Sequence, residues 1–358
     1  MQSLNLARLT KLIGAITIAV LAVAAHPQSY PPAWSSASSY AVGDQVQLKG
    51  NVLRATHAVV PGGFKYDDWE MWEVRANTIV FVGAGQSFST LPTAWSWVQN
   101  ARVASGAYLH IYISTAHGNY NETLSSPFSL DHQSGSQISL IGDNQANINF
   151  SSSGFVIDSG HTFASLSGVT VGVSGGSGLN AVSGGAIEDV SNTTISNTAN
   201  PGFGTGVAVT QGAMHLETSV TITGFATAIS ADLGGSVVLA SHFPLNGAGP
   251  ASFTTGLYAN RNGVISAQYC DLGNATNGFE TGAQAENGGL IDLTSAQTYN
   301  CGIAVQADAG GRIYAFGINP VSNNLDVKVY DGGTVFDTSP GTLNTSTGTG
   351  DGSYIWRS

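Results

Sequence analysis

The acidic side chains whose spacing best suits chemistry are Glu188, Glu217 and Asp292. Hydrolysis of a glycosidic bond uses two carboxyl groups about 5 to 10 Å apart, one as acid and the other as base or nucleophile. Glu188 precedes His215 and Glu217 by one unit of a repeat, and Asp292 follows Glu280 within one unit. These three carboxylates are the candidate catalytic residues. They also fit a solvated polar face, which is the interpretation we favour.

A repeat positions these residues along the chain. A glycine followed by a short alternating strand recurs seven times at intervals of 22 to 28 residues. The glycines are Gly185, Gly212, Gly235, Gly263, Gly289, Gly311 and Gly333. A near-fixed period of this length is typical of stacked structural units that cannot bury their apolar faces alone.

The repeat aligns side chains into columns. Two residues after each glycine the side chain is always apolar, as at Ile187, Met214, Val237, Ile265, Ile291, Ile313 and Val335. Four residues after it the side chain is apolar in five units of seven, Asp189 and Asp337 being the exceptions. The position between is mixed and holds Glu188, His215, Val238, Ser266, Asp292, Tyr314 and Phe336. Because alternate side chains of a strand point to opposite faces, the mixed column is predicted to face solvent.

A second strand precedes most of these units. Its predicted inward column is Val207, Ile229, Leu257, Phe279 and Ile303. Two strands and tight Gly/Asn turns in each unit predict a parallel β-helix whose coils stack ~4.8 Å apart. We expect this β-helix to span residues 108–338.

The segment before the repeats carries a family resemblance. Residues 77–107 are predicted to form a strand and a capping helix, with the helix at 91–104. They are followed by Tyr108-Leu-His-Ile-Tyr-Ile-Ser, by Gly118-Asn-Tyr-Asn-Glu and by Gln137-Ile-Ser-Leu-Ile-Gly-Asp. This order resembles the opening of the pectate-lyase and pectin-methylesterase-like families, which implies a right-handed, single-stranded parallel β-helix. The catalytic runs of those esterases are not found, so the resemblance says little about activity.

Residues 30–76 are predicted to form a small separate β module. Its order of Trp34, Tyr40, Val-Gly-Asp at 42–44 and a final Trp72 resembles small chitin-binding-like modules. The resemblance implies that Trp34, Tyr40 and Trp72 stack on sugar rings. The alternative, which we favour, is that these aromatic residues form the core of the module.

The two ends of the chain have distinct compositions. Residues 1–29 place Arg8 and Lys11 before an apolar run, which resembles a secretory signal peptide. A retained segment that attaches the protein to a larger particle is the second interpretation, and we place it slightly ahead. Residues 339–358 are poor in apolar side chains until Tyr354 and are predicted to form an extended tail.

Composition limits the possible partners. Charged residues are only 9% of the chain and the net charge is −11, which argues against nucleic-acid binding. Cys270 and Cys301 do not share a column and are predicted to be free, buried thiols. No spacing of Cys or His predicts a metal site, and no cofactor is expected.

Together these patterns predict a mainly β virion protein. We expect a bacteriophage tail fibre or tailspike subunit, homotrimeric, attached to other tail or baseplate proteins through residues 1–29. Its β-helix would contact a host surface polysaccharide or another receptor. The sequence leaves enzymatic activity open: we favour its absence, and polysaccharide depolymerisation is the activity expected otherwise. The alternative is a secreted pectate-lyase-like enzyme or adhesin, which would act on polysaccharide after cleavage of its signal peptide.

Overall fold

The computed structural model describes residues 31–246, 254–338, 343–347 and 352–357. The apolar segment 1–29, with its two predicted roles, lies outside the described residues. The described chain is mainly β-strand, with one α-helix, α1 (Leu91–Val98). None of its helices has the length and apolar character needed to cross a membrane.

The chain starts with a small sheet. Strands β1 (Gln45–Leu48), β2 (Asn51–Ala55) and β3 (Trp69–Val74) pair antiparallel. Strand β4 (Thr78–Val82) then enters the next sheet, and after α1 strand β5 (Arg102–Val103) returns to pair parallel with β3. The helix is therefore shorter than the predicted 91–104, because its last predicted turn forms this strand instead.

The rest of the chain is a parallel β-solenoid of about ten turns with three faces. The long face contains β4, β6 (Leu109–Ile113), β9 (Ile138–Phe150), β11 (Thr162–Val173), β13 (Ala186–Ser191), β16 (Ala213–Leu216), β19 (Ser236–Leu239), β22 (Val264–Ser266), β25 (Leu290–Asp292), β28 (Arg312–Ala315), β31 (Thr334–Asp337) and β33 (Tyr354–Arg357). The second face contains β8 (Phe128–Ser129), β10 (Phe155–Ile157), β12 (Ser177–Val182), β15 (Thr205–Thr210), β18 (Thr227–Asp232), β21 (Thr255–Ala259), β24 (Thr281–Ala285), β27 (Ile303–Ala307), β30 (Leu325–Val329) and β32 (Thr345–Thr347).

The third face is made of short strands. They are β7 (Asn121–Leu124), β14 (Thr194–Ser196), β17 (Thr221–Thr223), β20 (Pro244–Leu245), β23 (Asp271–Leu272), β26 (Gln297–Tyr299) and β29 (Asn319–Val321). Strands β7 and β14 pair with the later halves of β9 and β11, which bend from the long face into this one. Two residues of the predicted tail region, Ser346 and Trp356, lie in strands that extend the second and long faces.

The first inward column is confirmed by the strand register. Ile187 pairs with Met214, and the column continues in register to Val335. All seven side chains are at most 2% exposed. Cys270 and Cys301 are free and buried, as predicted.

Two column predictions are wrong in detail. A β-bulge inserts an extra residue between Ile187 and Val190, so Val190 takes the inward position and Asp189 is only half-buried. In the second-strand column, Leu257 pairs with Ala283, and Ala283 pairs with Val305. Phe279 and Ile303 therefore do not belong to that column. The buried Phe279 ring instead packs beside the backbone of Gly256.

The repeated glycines are explained by the approach of neighbouring coils. A Cβ at Gly263 would lie 2.1 Å from the carbonyl oxygen of Ala231, and one at Gly311 would lie 2.1 Å from that of Ala285. The same clash with a backbone atom of the preceding coil, at 2.1 to 2.4 Å, occurs at all seven repeat glycines. Only a residue without a side chain fits this position.

The helix α1 is fixed to the first coils by the predicted turn at 118–122. The backbone N–H of Leu91 donates to the hydroxyl of Tyr120 (2.8 Å) and to a carboxylate oxygen of Glu122 (3.1 Å). At the same end, the Thr90 side chain accepts from the N–H of Thr93. The Gly-x-Tyr-x-Glu turn therefore binds the free N–H groups of the helix N-terminus.

Candidate functional site

The outward column of the long face becomes aromatic towards its C-terminal end. Asp292 pairs with Tyr314, Tyr314 with Phe336, and Phe336 with Trp356, so the last three form an aromatic column on consecutive coils. The Tyr314 and Phe336 ring centroids are 5.1 Å apart. The register thus continues the predicted column by one more coil, to Trp356.

Further aromatic side chains border this column. The Phe316 ring stacks on Tyr314 with centroids 5.7 Å apart and an interplanar angle of 11°. Tyr354 and Trp356 are 67% and 63% exposed. Both lie on β33, whereas Tyr314 and Phe336 on the two preceding coils are half-buried. Exposed aromatic side chains of this kind suit the apolar face of a sugar ring.

The corner after the second face holds a polar group that the sequence analysis did not identify. Asp232 is the last residue of β18, and Glu286 and Asp308 directly follow β24 and β27; we call these three residues the acidic corner. Glu286 and Asp308 directly follow the paired residues Ala285 and Ala307, so they lie on consecutive coils.

Tyrosine and glutamine side chains fix the acidic corner. The Tyr258 hydroxyl donates to Glu286. The amide nitrogen of Gln306 lies 3.4 Å from a carboxylate oxygen of Asp308 and 3.0 Å from the hydroxyl of Tyr330. Burial raises the pKa of Glu286, and the negative charges of Asp308 and Asp232 raise it further. A carboxyl group with a raised pKa beside a second carboxyl group is an arrangement used for general acid catalysis.

The predicted catalytic residues of the long face are placed around the bulge. Glu188 is exposed, and the bulge turns Asp189 towards His215 and Glu217. The His215 ring nitrogen lies 3.7 Å from a Glu217 oxygen. The structure therefore brings Glu217 together with Asp189, a residue that the sequence pattern had assigned to the core.

In the third predicted catalytic residue, Asp292, both carboxylate oxygens accept hydrogen bonds from nearby residues. One carboxylate oxygen accepts from the N–H and the hydroxyl of Thr294, at 3.0 and 2.7 Å. The other accepts from the Gln268 amide at 2.5 Å. These contacts suit a carboxylate that holds two adjacent turns in place.

Among the described residues, two groups of three side chains have the geometry to share a metal ion. The first group is Asp131, Asp158 and His161, and the second is Asp189, His215 and Glu217. Within each group, one possible ligand atom from every residue lies within 4.8 Å of the others. In the first group one Asp131 oxygen already accepts the Asp158 backbone N–H at 2.7 Å. Their Asp, Glu and His ligands suit a divalent cation.

The predicted sugar-binding residues of the small module have structural contacts. Trp34 packs edge-on against Phe64 at 5.6 Å, and Tyr40 packs against the buried Trp69 at 5.1 Å. Both lie against the core. Trp72 is half-buried beneath Arg54, whose guanidinium carbon lies 3.8 Å from the ring centroid.

Comparisons with protein-family models, with curated proteins and with solved structures found no match to this chain. The aromatic column and the acidic corner are therefore interpreted from their geometry. The chain is a mainly β protein with a parallel β-solenoid.

Proposed function

We propose that this chain is an adhesive rod that contacts a surface polysaccharide, and that it is a tail fibre or tailspike subunit of a bacteriophage. The observation that carries the proposal is the outward-facing aromatic column Tyr314, Phe336 and Trp356, whose most exposed member is Trp356. Aromatic rings in register on consecutive coils suit a chain of sugar rings that lies along the solenoid axis. The resemblance of residues 91–150 to pectate-lyase-like β-helices, and of 30–76 to chitin-binding-like modules, supports the same class.

The proposed assembly is a homotrimer located in the virion tail. Residues 1–29 attach it to other tail or baseplate proteins. The long face carries exposed apolar side chains away from the aromatic column, among them Ile79, Phe81 and Val238, which supports contact between copies. Sedimentation equilibrium of the full chain is expected to give about 110 kDa, three times the 36.7 kDa of one chain. A mass of one chain contradicts the trimer.

Two measurements test the proposed function itself. Full-length protein is expected to bind at least one polysaccharide in a panel from bacterial surfaces, measured by biolayer interferometry. Lack of binding to the whole panel contradicts the adhesive role. N-terminal sequencing of the mature protein is expected to start at Met1 or Gln2, so that residues 1–29 are retained. A start near residue 26 indicates a cleaved signal peptide and favours a secreted protein over a virion subunit.

The acidic corner favours a second candidate function, a secreted polysaccharide-cleaving enzyme. Glu286 would donate the proton to the leaving oxygen, and Asp308 would act as base or nucleophile. Release of new reducing ends from polysaccharide measures this activity. An active enzyme would lose it in Glu286→Gln and keep it in Asp292→Asn and Glu188→Gln. No release by wild-type protein eliminates this candidate.

A further inference from the structure

A cleft of about 450 Å³ lies between the small sheet and helix α1, away from the outer face of the solenoid. Strand β3 and the 3₁₀ turn Tyr66–Asp68 form one wall, and the helix forms the other. A volume of this size is typical of sites that hold one small molecule.

The apolar wall of the cleft is aromatic and rigid. The Trp97 ring packs against Tyr66 (5.5 Å) and Phe88 (5.3 Å), and these two pack against each other at 5.1 Å. Trp69, which also lines the cleft, is 2% exposed. Rings held by mutual packing offer a preformed surface to the apolar face of a ligand.

The polar wall supplies hydroxyl, amide and carboxylate groups. Thr93, Ser96 and Asn100 are spaced by three and four residues, so they follow one side of the helix into the turn after it. The Asn100 amide donates to one oxygen of Glu70 at 3.2 Å. Asp67 adds a second carboxylate to the opposite wall. The cleft therefore offers both donors and acceptors beside an aromatic surface.

The charges and hydrogen-bonding groups around the cleft limit which kind of ligand it can bind. The described lining includes Asp67 and Glu70 and contains no Lys, Arg or His. Arg54, outside the lining, forms an ion pair with Glu70, so two carboxylates face one nearby cation and an anionic ligand is disfavoured. The indole N–H groups of Trp69 and Trp97 are buried and have no acceptor in the described structure, so the polar contacts of a ligand fall to the hydroxyl and amide groups of the helix wall.

We propose that this cleft binds a neutral sugar residue. Sugar hydroxyl groups donate to the carboxylates and accept from the amide and hydroxyl donors of the helix wall, while the C–H face of the sugar packs on the aromatic wall. This site is separate from the aromatic column, and its chemistry does not depend on attachment to a virion.

Calorimetric titration of the full chain tests the proposal with four probes: glucose, galactose, N-acetylglucosamine and glucuronate. At least one neutral sugar is expected to bind, and glucuronate at least about tenfold more weakly because of Asp67 and Glu70. Binding of none of the neutral sugars overturns the proposal. Glucuronate binding as tight as that of the best neutral sugar overturns it as well.

Variants locate the binding. Ser96→Trp fills the cleft from the exposed side of the helix and is expected to abolish binding, whereas Ser126→Trp, at an exposed site outside the cleft, leaves it unchanged. Asn100→Ala removes only the amide and is expected to weaken binding by about tenfold, which provides a test if Ser96→Trp does not fold. Trp356→Ala is expected to leave sugar affinity in the cleft intact. Unchanged binding in the cleft variants overturns the proposal even if the solenoid binds polysaccharide.

Discussion

The close approach of neighbouring coils predicts that Gly311→Ala strongly destabilises the solenoid. The added Cβ would lie 2.1 Å from the Ala285 carbonyl oxygen and 2.6 Å from the Glu286 nitrogen. Ordinary van der Waals contact needs at least 3.4 Å. The two coils must therefore separate locally by more than about 1 Å, against the tight packing of the interior.

The expected loss of unfolding free energy follows from the hydrogen bonds and the packing that this separation of the coils disturbs. The Arg312 N–H donates to the Gly289 carbonyl at 2.9 Å, and the Asp308 N–H donates to the Ala285 carbonyl at 3.0 Å. Weakening these two hydrogen bonds costs about 1 kcal/mol each. Overpacking a closely packed site adds about 1 to 3 kcal/mol. Gly311→Ala should lower the free energy of unfolding by about 3 to 5 kcal/mol.

The adjacent Gly310→Ala variant is the matched control. Gly310 has φ +79°, but a Cβ there would meet no atom within 4 Å. Its cost is only that of a left-handed alanine, about 1 to 2 kcal/mol. Urea unfolding followed by circular dichroism compares the two variants with wild type. The reasoning is refuted if Gly310→Ala destabilises the protein as much as Gly311→Ala does.

Three further predictions concern buried or coupled polar groups. Burial raises the pKa of Cys270 to about 12 and raises that of Cys301, so neither thiol should react with a thiol reagent at pH 8 until the protein unfolds; rapid labelling of folded protein would contradict this. The raised pKa of Glu286 means that its folded-state stabilisation is complete below the usual 4.5 and is lost as pH rises through the raised value. Glu286→Gln should therefore raise the thermal midpoint at pH 7 and not at pH 4, and an equal effect at both would refute it. Tyr120→Phe removes an acceptor of the Leu91 N–H and should cost about 1 kcal/mol in urea unfolding, whereas no loss would show that Glu122 alone caps the helix.

The fold was largely predictable because its signal is local. The alternation of apolar and polar side chains after each repeat glycine places Ile187, Val237 and their equivalents inside. In the structure, these residues pair in register from coil to coil. The bulge at Asp189 was not predictable, since an extra residue in a strand leaves the glycine spacing within its ordinary variation. The wrong placement of Phe279 has a related reason. Coils differ in length, so the pair Gly278-Phe279 resembles Gly256-Leu257 in sequence although the strand register pairs Leu257 with Ala283.

The acidic corner and the cleft depend on long-range placement. Glu286 and Asp308 are 22 residues apart, and nothing in the sequence around either one marks it as the partner of the other. Only the register of the second face makes them neighbours. The cleft likewise forms only when Tyr66 of the small module meets Trp97 of the helix. A polar side chain directly after an inward alanine in successive coils is the signal that would have identified the corner.

The central claim is that the aromatic column binds surface polysaccharide. Removing two of its rings in the double variant Tyr314→Ala/Trp356→Ala is expected to weaken binding by at least about tenfold, because each stacked ring contributes about 1 kcal/mol beyond its buried area. Phe203→Ala removes an exposed aromatic side chain in the turn before β15, outside the column, and is the control. The most direct measurement is the affinity of these variants and of wild type for the polysaccharide that wild type binds best. Loss in the double variant alone is the predicted result, and equal affinity of all three proteins contradicts the account.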